Sequence, residues 1–106
     1  MPTEPREDLS AGAPLDASVV LRLTVRNHPG VLSHVSGLFA RRAFNVDGVL
    51  CLPVGDGARS AILLLVRADD RLEQLERQLA KLEDVLEIRH EPDGRRTFAA
   101  VAAWLE

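Results

Sequence analysis

The sequence predicts an α+β domain of ferredoxin-like topology, in which two helices pack on one face of a four-stranded antiparallel sheet. Three observations carry this prediction. Residues 18–26 and 85–90 alternate apolar and polar side chains, as strands with one buried face do. Residues 31–42 and 70–82 repeat apolar side chains at helical spacing. Between the two helices lie two further strand-like segments joined by a glycine-rich turn, so the order is strand, helix, strand, strand, helix, strand.

Each element has its own local cause. In the first strand Leu21, Leu23 and Val25 share one face and Arg22, Thr24 and Arg26 the other. The first helix has an apolar stripe of Val31, Val35, Leu38 and Phe39, and it closes on Arg41 and Arg42, where positive charge complements the helix dipole. Residues 45–53 form the second strand, and Val54-Gly55-Asp56-Gly57-Ala58-Arg59 is a turn by composition. The unbroken apolar run Ala61-Ile62-Leu63-Leu64-Leu65-Val66 suits a central strand, covered on both faces or on one face and by a subunit contact. Asp70 and Glu73 match a capping box with Asp70 as the cap. Leu72, Leu75, Leu79 and Leu82 then make the stripe of the second helix, which Glu83-Asp84 ends. Leu86 and Ile88 are expected to point inward from the fourth strand, and Glu91-Pro92-Asp93-Gly94 is a turn. Residues 93–106 read as a short helix with Phe98, Val101 and Trp104 on one side, or as an added edge strand. Residues 1–16, with three prolines and few large apolar side chains, read as a disordered arm.

Composition narrows the function. The chain has 106 residues, 46% of them apolar and 27% charged, which suits one globular domain. A net charge of −3 argues against nucleic-acid binding, and the near absence of aromatic residues denies the sheet a base-stacking platform. No apolar run approaches a membrane span, and the acidic N-terminus is no secretory signal. With a single cysteine, these features favour the cytoplasm. Cys51, inside an apolar strand, is expected to be buried and inert. His28, His34 and His90 come from a loop, a helix and a strand end, and read as surface residues with no zinc cluster. No nucleophile–base pairing has supporting context, and Gly55-x-Gly57 is too short for a nucleotide fingerprint.

The informative stretch is Arg26-Asn27-His28-Pro29-Gly30-Val31-Leu32, the corner between the first strand and the first helix. Pro29 suits the first helical turn, and Gly30 allows close approach to its backbone. The first N–H groups of a helix lack internal partners and carry partial positive charge, so they attract a carboxylate or phosphate. Asn27 supplies an amide acceptor and donor beside them. An acceptor for an ammonium next to donors for a carboxylate is what an α-amino acid requires. The ordinary alternative is that Asn27 only caps the helix.

At Asn27-His28-Pro29-Gly30-Val31 the chain resembles an ACT domain, the ferredoxin-like module that binds amino acids in metabolic regulators. A longer pattern is more specific. It runs from Leu23 to Leu32, continues through Gly37-Leu38-Phe39-Ala40-Arg41-Arg42-Ala43-Phe44-Asn45-Val46-Asp47-Gly48 and includes Cys51-Leu52-Pro53. It resembles the small subunits of acetohydroxyacid synthase, also called acetolactate synthase, in their short, isozyme I form. Arg71-Leu72-Glu73-Gln74-Leu75 and Lys81-Leu82-Glu83-Asp84-Val85 fit the same family.

The resemblance implies a non-catalytic regulatory subunit, with its ACT domain over residues 17–92. Such a subunit binds the large catalytic subunit, stimulates it and transmits inhibition by valine. Thiamine diphosphate, magnesium and FAD are expected on the large subunit and no cofactor on this chain. The resemblance also implies a homodimer with valine between protomers. Asn27, Gly30, Val31 and Leu32 would form one side and Asn45 of the second protomer the other. Val46, with Leu32 or Val31, would line an uncharged side-chain pocket. Asn45 otherwise reads as a turn residue. Two other functions compete, a free-standing amino-acid-sensing dimer and a small acyl-phosphate hydrolase. For the second, Arg26 and Asn27 are near the right corner but the loop is too short to wrap a phosphate.

Overall fold

A computed structural model describes residues 18–106; the arm expected over residues 1–16 lies outside the described residues. The elements are β1 (Ser18–Arg26), α1 (Val31–Arg41), β2 (Val46–Val54), β3 (Arg59–Arg67), α2 (Leu72–Ala80), β4 (Val85–His90) and α3 (Gly94–Leu105). The four strands form one sheet in the order β2-β3-β1-β4, with every neighbouring pair antiparallel. This is the expected ferredoxin-like arrangement. β1 and β2 both run opposite to β3, so they are parallel to each other, and Val19, Val66 and Val46 stand in register at one end of the sheet.

The alternation in β1 becomes the centre of the core. Leu21, Leu23 and Val25 are fully buried beside Ile62, Leu64 and Val66 of β3. The stripe of α1, Val31, Val35, Leu38 and Phe39, and Leu75 and Leu79 of α2 close over this face, with Leu72 and Leu82 packed at its margin. β3 is central, as its apolar run requires.

Four local expectations are corrected. The capping box at Asp70 does not form: Asp69 Oδ1 accepts the Arg71 N–H at 2.8 Å and the Asp69 carbonyl accepts the Leu72 N–H at 3.1 Å, so the chain turns one residue earlier. Leu86 is exposed rather than inward, because the β1–β4 register shifts at Thr24/Val25: Thr24 faces Glu87 while Val25 faces Val85. The extra residue in the bulge is Leu86, and it reverses the alternation so that Val85 and Ile88 pack on the core. Cys51 is exposed, since β2 is an edge strand that the helices do not fully cover. At the C-terminus the helix alternative is the one that forms, but Trp104 is exposed and does not share the partial burial of Phe98 and Val101.

α3 packs on the sheet face opposite α1 and α2. The backbone of Gly94 lies against Val20, and the Phe98 ring lies against Gly48 beside Leu65. Val20 and Leu65 are register partners pointing away from the core, and α3 buries both. No helix among the described residues is long and apolar enough to cross a membrane.

Candidate functional site

The corner after β1 is held from two directions. The Arg26 N–H donates to the Asp84 carbonyl at 3.0 Å, and Arg26 Nη1 to the Glu83 carbonyl at 2.9 Å, tying the corner to the α2–β4 turn. The Asn27 N–H donates to the Ala58 carbonyl at 3.1 Å, and Asn27 Nδ2 to the Gly57 carbonyl at 2.8 Å, tying it to the β2–β3 turn. That turn is shaped by Gly57 at φ +92° and by Asp56, whose Oδ1 accepts the Ala58 N–H at 3.0 Å.

Asn27 is therefore no helix cap. Gly30 is the N-cap of α1, its carbonyl accepting the His34 N–H at 3.0 Å, and no side chain caps this end. Pro29 lies before the helix rather than in its first turn, because Gly30 takes a left-handed conformation, φ +90° and ψ −11°. A β-carbon built on Gly30 would meet nothing within 4 Å, so the backbone here opens to solvent. Val31 N–H reaches only the His28 carbonyl, at a long 3.4 Å. Asn27 is exposed; it donates one amide hydrogen to Gly57, and its Oδ1 accepts no hydrogen bond among the described residues.

His28 sits on the same corner with both ring nitrogens facing acceptors. Nε2 is 2.7 Å from Asp84 Oδ2, and Nδ1 is 2.7 Å from the Pro29 carbonyl. The hydrogen bond to Asp84 raises the pKa of His28 above its usual 6.5, and the Pro29 carbonyl adds to this. His34 Nδ1 approaches the same Asp84 oxygen at 3.9 Å. Helical spacing does not anticipate this meeting, since His28 lies ahead of α1 and reaches Asp84 from the loop. The Asp56-Gly57 turn signal was visible in the sequence, but its use as the anchor of Asn27 was not. Among the described residues no group of three or more His, Cys, Asp or Glu could hold a metal ion.

The remaining expected site residues divide. Leu32 is exposed beside the corner, whereas Val31 turns its side chain into the core and offers only its backbone. Asn45 and Val46 are at the other end of the sheet. Val46 is in register with Val19 through Val66, and Arg26 lies seven residue steps further along β1. At roughly 3.3 Å per residue that is about 23 Å, so one protomer does not bring Asn45 to Asn27 and Gly30.

Two helices on one face of an antiparallel β2-β3-β1-β4 sheet, the first opened by a left-handed glycine, define a ferredoxin-like α+β domain. Residues 21–87 match the sequence model of the family described as AHAS small subunit-like ACT domain. The chain is 53% identical over 89 residues to the acetolactate synthase isozyme 1 small subunit of Escherichia coli (strain K12), across 84% of this chain and 93% of that one. It is 40% identical over 74 residues to the probable acetolactate synthase small subunit of Methanothermobacter thermautotrophicus, covering 66% of this chain and 42% of that protein. The crystal structure of the acetolactate synthase small subunit from Thermotoga maritima superimposes with a TM-score of 0.63 at 32% identity, covering 69% of this chain and 46% of that one. The chain belongs to the acetolactate synthase small-subunit family.

Proposed function

We infer that this chain is the non-catalytic regulatory subunit of a cytoplasmic acetolactate synthase, and that it binds valine between two copies of itself. It stimulates a large catalytic subunit, which carries thiamine diphosphate, magnesium and FAD, and it transmits feedback inhibition in branched-chain amino acid synthesis. The valine carboxylate is received by the Val31 and Leu32 N–H groups at the open backbone of Gly30, and the ammonium by Asn27 Oδ1. Leu32 and the partner's Val46 border an uncharged space for a small branched side chain.

One observation carries the dimeric form of this site: Asn45 and the Asn27–Gly30 corner lie at opposite ends of the same sheet. β2 is an unpaired edge. Antiparallel pairing of two β2 strands about Leu50 or Cys51 sets the partner's Asn45 opposite residues 55–57. That is the turn whose Gly57 carbonyl holds Asn27.

Calorimetric titration of the full chain with valine, with sedimentation at the same concentrations, tests this. Valine should bind a dimer. Asn45→Ala should weaken binding by about 0.5–3 kcal/mol, the range for a hydrogen bond to a neutral or charged partner. Its melting temperature should not change, because Asn45 is exposed. Unchanged valine affinity in this variant refutes the site. Valine binding without any stimulation of a thiamine-diphosphate enzyme would instead indicate a free-standing sensor.

A further inference from the structure

His28 differs from His90 in how its ring is held. Its Nε2 is 2.7 Å from Asp84 Oδ2, and its Nδ1 is 2.7 Å from the Pro29 carbonyl. A carboxylate and a carbonyl are both acceptors with no proton to give. A neutral imidazole carries one N–H, so it satisfies one of them and turns a lone pair toward the other. The imidazolium carries two N–H groups and satisfies both. In His90, Nε2 is 2.9 Å from Glu76 Oε2 and Nδ1 has no acceptor among the described residues. One tautomer of the neutral ring suffices there.

Asp84 depends on the charge of its neighbours. Its side chain is mostly buried, 16% exposed against 40% for His28. Among the described residues it pairs with His28 and, at 3.9 Å, with His34, and with no lysine or arginine. A largely buried carboxylate needs a compensating charge. Here that charge comes from histidine, whose protonation changes near neutral pH. The charged groups around His28 come from β1, α1 and the α2–β4 turn. Arg26 of β1 opposes the imidazolium, His34 of α1 approaches the same Asp84 oxygen, and Asp84 of the turn favours it. The hydrogen bond to Asp84 is the largest of these influences, and the pKa of His28 is raised.

The ring also acts on the backbone at the start of α1. The Pro29 carbonyl that it holds belongs to the peptide ending at the Gly30 nitrogen, and the His28 carbonyl accepts the Val31 N–H at 3.4 Å. Gly30 stands at φ +90° with no side-chain cap. One side chain thus ties the Pro29–Gly30 peptide to the α2–β4 turn.

We propose that His28 is a proton-dependent latch: the charged ring fastens the Pro29–Gly30 peptide to Asp84, and the neutral ring releases one of the two. The consequence for ligand binding rests on the valine site inferred above. The latched corner sets the Val31 and Leu32 N–H groups to receive a carboxylate and adds a positive charge beside it. Valine and the proton on His28 therefore strengthen each other's binding, because coupling between two sites is reciprocal. Valine inhibition weakens as pH rises through the folded-state pKa of His28, which lies above the usual 6.5.

The test is an NMR titration of the full chain from pH 6 to pH 8.5, first without valine. The amide-to-α-proton couplings of Gly30 and Val31 report backbone φ rather than nearby charge. They should change with the same midpoint as the His28 ring and stay constant in His28→Gln. Asp84→Asn, which keeps the ring, should move the change to lower pH. Couplings that are constant across the midpoint, or that still change in His28→Gln, overturn the latch. Calorimetric titration with valine then tests the coupling. Affinity should fall by about three- to tenfold from pH 6 to pH 8.5, a modest coupling because solvent screens both charges. The fall should persist in His34→Gln and vanish in His28→Gln. An affinity equal at both ends of the range overturns the link between latch and ligand. No valine binding at any pH overturns the valine site instead, and the couplings measured without valine still decide the latch.

Discussion

The sharpest perturbation of the proposed valine corner is Gly30→Asp, compared with Gly30→Asn. Gly30 stands at φ +90° with nothing within 4 Å of an added β-carbon, so either side chain meets a backbone cost and no steric one. A non-glycine residue in left-handed conformation costs about 1–2 kcal/mol, at the low end for Asn and Asp. A carboxylate at the N-terminus of α1 returns about 0.3–1 kcal/mol through the helix dipole. Gly30→Asp should therefore destabilise the fold by about 1 kcal/mol, lowering the melting temperature by about 4–8 °C, and Gly30→Asn should lower it slightly more. For binding the two variants diverge. Two like charges about 5 Å apart at an effective dielectric constant of about 20 repel by about 3 kcal/mol, which is more than a hundredfold in affinity. Gly30→Asn has nearly the same shape without the charge and should keep measurable valine binding. The assay is a valine titration of both variants and of the reconstituted enzyme, with melting curves as the control. Retained valine inhibition in folded Gly30→Asp, or equal loss in both variants, would refute the assignment of the ligand carboxylate to this corner.

Two further outcomes follow from contacts near the site and under α3. The raised pKa of His28 stabilises the fold fully below about pH 6.5, and this contribution is lost as pH rises through the higher folded-state value. The stability difference between wild type and His28→Gln should therefore shrink from pH 6 to pH 8.5, and melting curves showing a constant or growing difference would contradict this. Gly94→Ala would bring a β-carbon within 2.6 Å of Val20 Cγ1 and 2.8 Å of Val20 Cβ, which no rotamer change can relieve. Overpacking of this kind costs about 1–3 kcal/mol, offset by up to about 1 kcal/mol of helix propensity. The melting temperature should fall, and Val20→Ala in the same chain should recover part of the loss; an unchanged melting temperature in Gly94→Ala would show that α3 is not seated on β1.

What the sequence alone determined is what short-range chemistry encodes. The alternation of Leu21, Leu23 and Val25 marked a buried strand face, because side chains on a strand repeat every two residues. The stripes of α1 and α2 marked their buried sides in the same way, and the run from Leu23 to Leu32 carried the family. Tertiary structure decided whatever depends on a distant partner. Leu86 faces solvent because the pairing with β1 slips by one residue, and Cys51 because its strand forms a sheet edge. Asn27 spends one amide hydrogen on Gly57, thirty positions along the chain, so local capping rules misassign it. His28 and His34 converge on Asp84 because the α2–β4 turn closes under the corner. Asn45 lies a sheet length from Gly30 because α1 returns the chain to the other end of the sheet before β2 begins, a separation invisible in a sequence where they stand fifteen residues apart.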